Sequence, residues 1–189
     1  MEKFKREMTD FFDKLYPTEH KLLVFGEGDE RARVMLIGEA PGEQETMQGR
    51  PFVGRAGKNL DEFLELSGLS REALYITNTV KFRPVKRSKS GGVVNRPPTR
   101  EEVELFLSWL QREIELVKPQ WIVTLGNVAL RALMGRGATV GACHGKEYDV
   151  GGRRLFALYH PASILYNPAI KAVYRNDVIR LGELVRADE

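Results

Sequence analysis

Residues 38–57, GEAPGEQETMQGRPFVGRAG, concentrate side chains able to bind and transform a small molecule. They comprise five glycines, three carboxylates (Glu39, Glu43 and Glu45) and one aromatic ring, Phe52. The segment follows the apolar run Val34-Met35-Leu36-Ile37 and precedes an amphipathic pattern at Leu60, Phe63 and Leu64. It therefore reads as a loop between a buried strand and a helix. In open α/β sheets, ligands bind at the carboxyl ends of strands. Glycines allow close backbone approach. The three carboxylates argue against a nucleotide phosphate, which needs bare N–H groups and cations. The expected occupant is a planar, largely uncharged group.

Two further polar residues stand at strand ends. Asn78 follows Leu74-Tyr75-Ile76-Thr77, and its amide offers both a donor and an acceptor. His160 follows Leu155-Phe156-Ala157-Leu158 and precedes Pro161. Each has a plainer reading: an Asn satisfying nearby backbone, or a rigid His-Pro turn. Phe52 has one too, as a core residue, although its Gly-Arg-Pro and Val-Gly flanks mark a loop. Of the other histidines, His20 and His144 belong to no motif and read as surface or structural residues. Glu43 reads as exposed.

The elements that position these residues alternate. Strands are expected over 22–26, 33–38, 74–80, 120–125 and 154–159, and helices over 3–15, 55–67, 100–117, 127–134 and 170–187. In the first helix, Phe4, Met8, Phe11 and Leu15 form the apolar stripe. Thr99 and Glu102 predict a capping box, Gly68 a helix C′ position, and Val150-Gly151-Gly152-Arg153 a hairpin turn. Alternation of this kind predicts a single-domain α/β fold: a mainly parallel sheet with helices on both faces.

Composition sets the outer bounds. A chain of 189 residues, 42% hydrophobic and 29% charged, is ordinary for one soluble domain. No apolar run approaches the ~20 residues that span a membrane, and the charged N-terminus lacks a signal-peptide core. One cysteine, Cys143, rules out an internal disulfide and fits a reducing compartment, so cytoplasmic residence is expected. The net charge of +3 hides an asymmetry. Residues 81–100 hold seven bases (Lys81, Arg83, Lys86, Arg87, Lys89, Arg96 and Arg100) and no acid. Outside that segment 22 bases face 26 acids. The stretch 83–98 is expected to be a flexible basic loop, either a solvated linker or a polyanion contact.

The loop motif GEAPGEQE…GRPFVGRAG resembles the first motif of the uracil-DNA glycosylase superfamily in its family 4 form. Ile76-Thr77-Asn78-Thr79-Val80-Lys81 and His160-Pro161-Ala162-Ser163-Ile164-Leu165 resemble two further motifs, in the right order. The resemblance spans roughly residues 22–187. It implies a repair enzyme that flips uracil out of DNA, hydrolyses its N-glycosidic bond and leaves an abasic site. Gly38, Ala40, Phe52, Asn78 and His160 would bind the base, with Phe52 stacking on it. Asn78 would match O4 and N3–H of uracil, and His160 would donate to O2. Glu39 or Glu45 would stabilise the sugar cation and orient water. Lys81, Arg83, Lys86, Arg87, Lys89, Ser163, Leu165 and Tyr166 would contact DNA, with Leu165 as the wedge that fills the vacated stack. The expected partner is uracil-containing DNA, with no membrane, and the chain is expected to be a monomer.

Departures from the resemblance carry their own expectations. Family 4 proteins hold an iron–sulfur cluster on four cysteines, and the matching positions here are Phe11, Lys14, Phe82 and about Leu105. No cofactor or metal is therefore expected, and apolar packing would replace the cluster. Tyr166 stands where the family has arginine. Asn95 stands where a related branch carries a histidine that bonds covalently to the sugar, so covalent trapping is not expected. No lysine stands out in the motifs for a Schiff base, which predicts a monofunctional enzyme without lyase activity. Two rival readings stay open: a glycosylase for another deaminated base, and a non-catalytic uracil- or DNA-binding module of the same fold.

Overall fold

The computed structural model describes residues 1–19, 21–167 and 169–188, and for Leu165 and Tyr166 only the backbone. The chain opens with α1 (Glu2–Leu15), β1 (Glu27–Gly28), β2 (Val34–Gly38), α2 (Glu43–Gln48) and α3 (Arg55–Ser67). A short 3-10 turn, Arg71–Ala73, leads into β3 (Leu74–Asn78), followed by β4 (Val85–Arg87), β5 (Val93–Asn95) and α4 (Arg100–Val117). Then come β6 (Trp121–Leu125), α5 (Asn127–Met134), α6 (Val140–Cys143), β7 (Glu147–Val150), β8 (Arg153–Leu158), α7 (Ser163–Tyr166) and α8 (Ala169–Ala187).

Six strands form one sheet in the order β1-β3-β2-β6-β8-β7. The central four run parallel, and β1 and β7 close the edges antiparallel. The period of two along each strand sorts the core into two faces. Val34, Leu36, Leu74, Ile76 and Val123 pack under α3 and α8. Met35, Ile37, Tyr75, Ile122 and Leu155 pack under α4, α5 and α6. A third cluster joins Phe4, Met8 and Phe12 of α1 to Val80, Phe82 and Phe106.

The parallel α/β prediction agrees with this sheet, and the expected spans 100–117 and 127–134 coincide with α4 and α5. The capping box is present: Thr99 Oγ1 accepts from Glu102 N at 3.2 Å, and Glu102 returns the bond to Thr99 N at 2.7 Å. Three expectations need correction. Residues 22–26 form no strand. Val24 is buried and its N–H bonds Lys81 O, a single staple rather than a ladder. On α1 the buried row is Phe4, Met8 and Phe12, spaced by four, while Phe11 and Leu15 face outward. Finally, the expected flexible basic loop contains a two-stranded hairpin, with Val85 opposite Asn95 and Arg87 opposite Val93.

Candidate active site

At the carboxyl ends of the parallel strands, beside the point where strand order reverses, lies a cleft of about 330 Å³. Its lining includes Ala40, Glu45, Phe52, Asn78, Asn95 and His160. These come from separate elements: the loop after β2, α2, the turn between α2 and α3, the end of β3, the end of β5 and the loop after β8. A second cleft shares Ala40, Gly42, Asn95, His160 and Ala162 with the first, and adds Glu39 and Arg96.

Phe52 sits at φ +53°, a left-handed conformation uncommon for a bulky residue. Three features hold it there. Glu45 accepts from Val53 N at 3.0 Å and Gly54 N at 2.7 Å through one carboxylate oxygen, and from Gly42 N at 3.1 Å through the other. Arg71 donates to Pro51 O at 2.8 Å. Gly57 leaves room for the Phe52 carbonyl, which a Cβ there would approach to 1.9 Å. The Phe52 ring is only 4% exposed and belongs to the core, yet one part of it forms a cleft wall. The core and stacking readings of Phe52 are thus compatible. The Phe52 and His160 rings lie 5.9 Å apart, tilted by 32°.

Gly38 departs from its expected role. It is buried, and a Cβ there would meet Phe52 Cζ at 2.4 Å and Asn78 Oδ1 at 2.5 Å. Its missing side chain makes room for those two residues rather than for a ligand. Asn78 is 2% exposed, and its side-chain amide has no hydrogen-bond partner among the described residues. The amide opens on the cleft, where its donor and acceptor are available to whatever occupies that space.

His160 has a defined tautomer. Ala162 N donates to its Nδ1 at 3.1 Å, which places the ring proton on Nε2. Burial pushes its pKa down to about 4, with the Glu45 carboxylate partly opposing, so the ring is neutral at pH 7. Burial raises the Glu39 pKa. The group is thereby brought nearer to the range where a carboxylate can exchange protons.

Lys81 is corrected outright. It was expected to touch DNA, but it is 0% exposed, and its ammonium bonds Glu113, Thr77 and the Asn78 carbonyl. Lys86, Arg87 and Lys89 are exposed on the hairpin. Arg83 is partly buried and bonds Asn95 at 2.6 Å and Glu43 at 3.2 Å, tying the hairpin to the start of α2. Glu43 is itself exposed, as read. The amide of Ser163 donates to His160 O at 2.8 Å. The side chains of Leu165 and Tyr166 lie outside the described residues, as does His20. His144 is structural in its contacts, pairing with Asp177 at 2.8 Å. Sequence reasoning gave Glu113 no role and used Asn95 only as a departure from the family. For Asn95 the available signal was the Val93-Val94-Asn95 run facing Val85 across a Gly-Gly turn.

The positions matching the family 4 cysteines do not fit a cluster. Phe82 is buried among Phe12, Tyr16 and Phe106, Leu105 packs on the same group, and Phe11 leans on Trp109. Lys14 is exposed. None of the four offers a thiolate, and the one cysteine, Cys143, is on α6. No helix among the described residues is long and apolar enough to cross a membrane.

Fold and site together define an α/β protein with a cleft at the carboxyl ends of its parallel strands. Known proteins make the class specific. The family model of the uracil DNA glycosylase superfamily matches residues 25–180. The chain is 41% identical over 167 residues to a type-4 uracil-DNA glycosylase of Archaeoglobus fulgidus, covering 84% of this chain and 80% of that one. It is 39% identical over 176 residues to a type-5 uracil-DNA glycosylase of Pyrobaculum aerophilum, covering 84% and 72%. A crystal structure of Pedobacter heparinus SMUG2 superposes with a TM-score of 0.62 at 18% identity, over 83% of this chain and 77% of that one, and shares the fold. This chain belongs to the uracil DNA glycosylase superfamily.

Proposed function

We propose that the protein excises uracil from DNA by hydrolysing the N-glycosidic bond, leaving an abasic site and an intact backbone. The observation that carries this reading is the Asn78 amide: on a residue only 2% exposed, without a hydrogen-bond partner among the described residues, and facing a cleft walled by Phe52 and His160. An amide fixed in one orientation pairs with uracil O4 and N3–H. Cytosine presents the opposite pair and leaves both groups unsatisfied. Phe52 stacks on the flipped base.

His160 donates from Nε2 to uracil O2. Breaking the glycosidic bond drives negative charge onto that oxygen, and a preorganised neutral donor stabilises the departing anion without full proton transfer. The two carboxylates divide their work. Glu45 spends both oxygens on backbone N–H groups and shapes the Phe52 loop. Glu39 lines the adjoining cleft. There it faces the sugar, steadies its oxocarbenium character and orients the attacking water, as carboxylates do in glycoside hydrolysis. The hairpin bases Lys86, Arg87 and Lys89 hold the DNA backbone, assisted by Arg83 at the hairpin root. Ser163, Leu165 and Tyr166 meet the strand beside the flipped nucleotide, and Leu165 occupies the hole in the stack.

The test is a uracil-containing duplex oligonucleotide incubated with the protein. Scission at the uracil position only after alkali is the expected result. Scission without alkali would establish lyase activity. Retention of the oligonucleotide with no alkali-labile site would favour a non-catalytic binding module.

A further inference from the structure

The residue expected to bind DNA, Lys81, instead forms the centre of a buried polar group directly behind Asn78. Its ammonium has three donors, and all three are used: on Glu113 at 2.5 Å, Thr77 Oγ1 at 2.5 Å and the main-chain oxygen of Asn78 at 2.6 Å. Glu113, also 0% exposed, further accepts from Thr77 Oγ1 at 3.1 and 3.2 Å and from the Tyr75 hydroxyl at 3.0 Å. Tyr75, Thr77 and Asn78 belong to β3, Glu113 to α4, and Lys81 to the segment that leaves β3. That segment is bonded to the other side of the cleft, with Thr79 N and Oγ1 on Gly38 O and Val80 N on Glu39 O.

Stability alone does not explain such a group. A buried ion pair costs heavy desolvation, and a well-packed apolar pair of the same volume is often as stable or more so. The best-attested return is a uniquely specified local structure. Here the structure specified is the one that aims an amide. The Asn78 side chain has no hydrogen bond of its own to fix its direction, so its aim depends on packing against Gly38 and Phe52 and on the setting of its backbone. Lys81 grips that backbone at the Asn78 carbonyl.

We infer that Lys81, held by Glu113 and Thr77, is a positioning residue that sets the orientation of the Asn78 amide for base readout. The inference rests on the reading of Asn78 given under Proposed function. Lys81 touches neither base nor DNA, and acts only through Asn78.

A double-mutant cycle tests it, using single-turnover excision of uracil from duplex DNA at saturating protein. The variant pairs Lys81→Met with Glu113→Gln, so that no lone charge stays buried, and is made with Asn78 intact and with Asn78→Ala. With Asn78 intact, excision should slow by about 10²-fold, the scale of a misplaced reacting partner. With Asn78→Ala, the same change should slow it no further, because the group being aimed is gone. Affinity for undamaged duplex should stay at the wild-type value in both backgrounds. Equal slowing in the two backgrounds, or no slowing with Asn78 intact, overturns the inference. Wild-type excision by Asn78→Ala alone overturns the reading of Asn78 instead. If circular dichroism shows the paired variant unfolded, Thr77→Val removes one bridging hydroxyl and carries the same cycle with the same deciding comparison.

Discussion

His160 and Glu39 give the proposed chemistry its sharpest tests at the level of single side chains. The His160 ring carries its proton on Nε2 because Nδ1 accepts from Ala162 N. Replacing His160 with Ala should slow excision by about 10²–10³-fold, the usual loss for one oxyanion donor, with little change in DNA affinity. Single-turnover rates beside a binding titration would show whether the ring is instead structural. The pH profile follows from two shifts of opposite sign. His160 titrates near pH 4, depressed by burial, so it stays neutral on descending through the ordinary histidine range and imposes no limb there. Glu39 is raised by burial and works ionised, so activity should fall as pH drops through its elevated value. Glu39→Gln should lower the plateau by about 10²-fold, within the span of acid–base contributions, and abolish that limb. A limb that survives the substitution would move the water-orienting role elsewhere.

The elements were legible in the sequence to different depths. Helices α3, α4 and α5 have long apolar periods and clear stops, such as Gly68 in the left-handed conformation after α3, so pattern alone placed them. Short pieces stabilised from outside were not legible. Helix α2 has no buried residue and depends on Glu45 bonding Gly42. The β4–β5 hairpin is exposed along its length, so its charges hid its pairing. At the site, motif residues could be named from sequence, but burial could not. Lys81 looks like one more surface cation until α4 delivers Glu113 from 32 residues away. Lys86, Arg87 and Lys89 remain exposed on the hairpin, clear of the cleft lining. Neutralising the three together should reduce the slope of log affinity against log salt by up to about 2.7, at about 0.9 per phosphate contact, and leave excision at saturation near wild type. An unchanged slope would place the DNA on another face.

At the scale of the whole molecule, an aromatic cluster joins α1 to α4. Phe12 is 1% exposed and stacks on Phe106 at 4.5 Å. Phe12→Ala should cost about 3–5 kcal/mol in urea unfolding, typical of a deleted core phenylalanine. The cleft draws on the ends of several strands, so its history in the growing chain differs from that of a site carried by one hairpin. Phe52 and Asn78 precede β6 in the chain, whereas His160 follows β8. Strand β8 joins the sheet by parallel pairing with β6, Trp121 opposite Arg154, a more local contact than the β2–β6 pairing of Val34 with Trp121. The cleft is therefore complete only when β8 is docked and brings His160 opposite Phe52. Undocking of that strand should abolish excision, so excision doubles as a reporter that β8 is paired in the sheet.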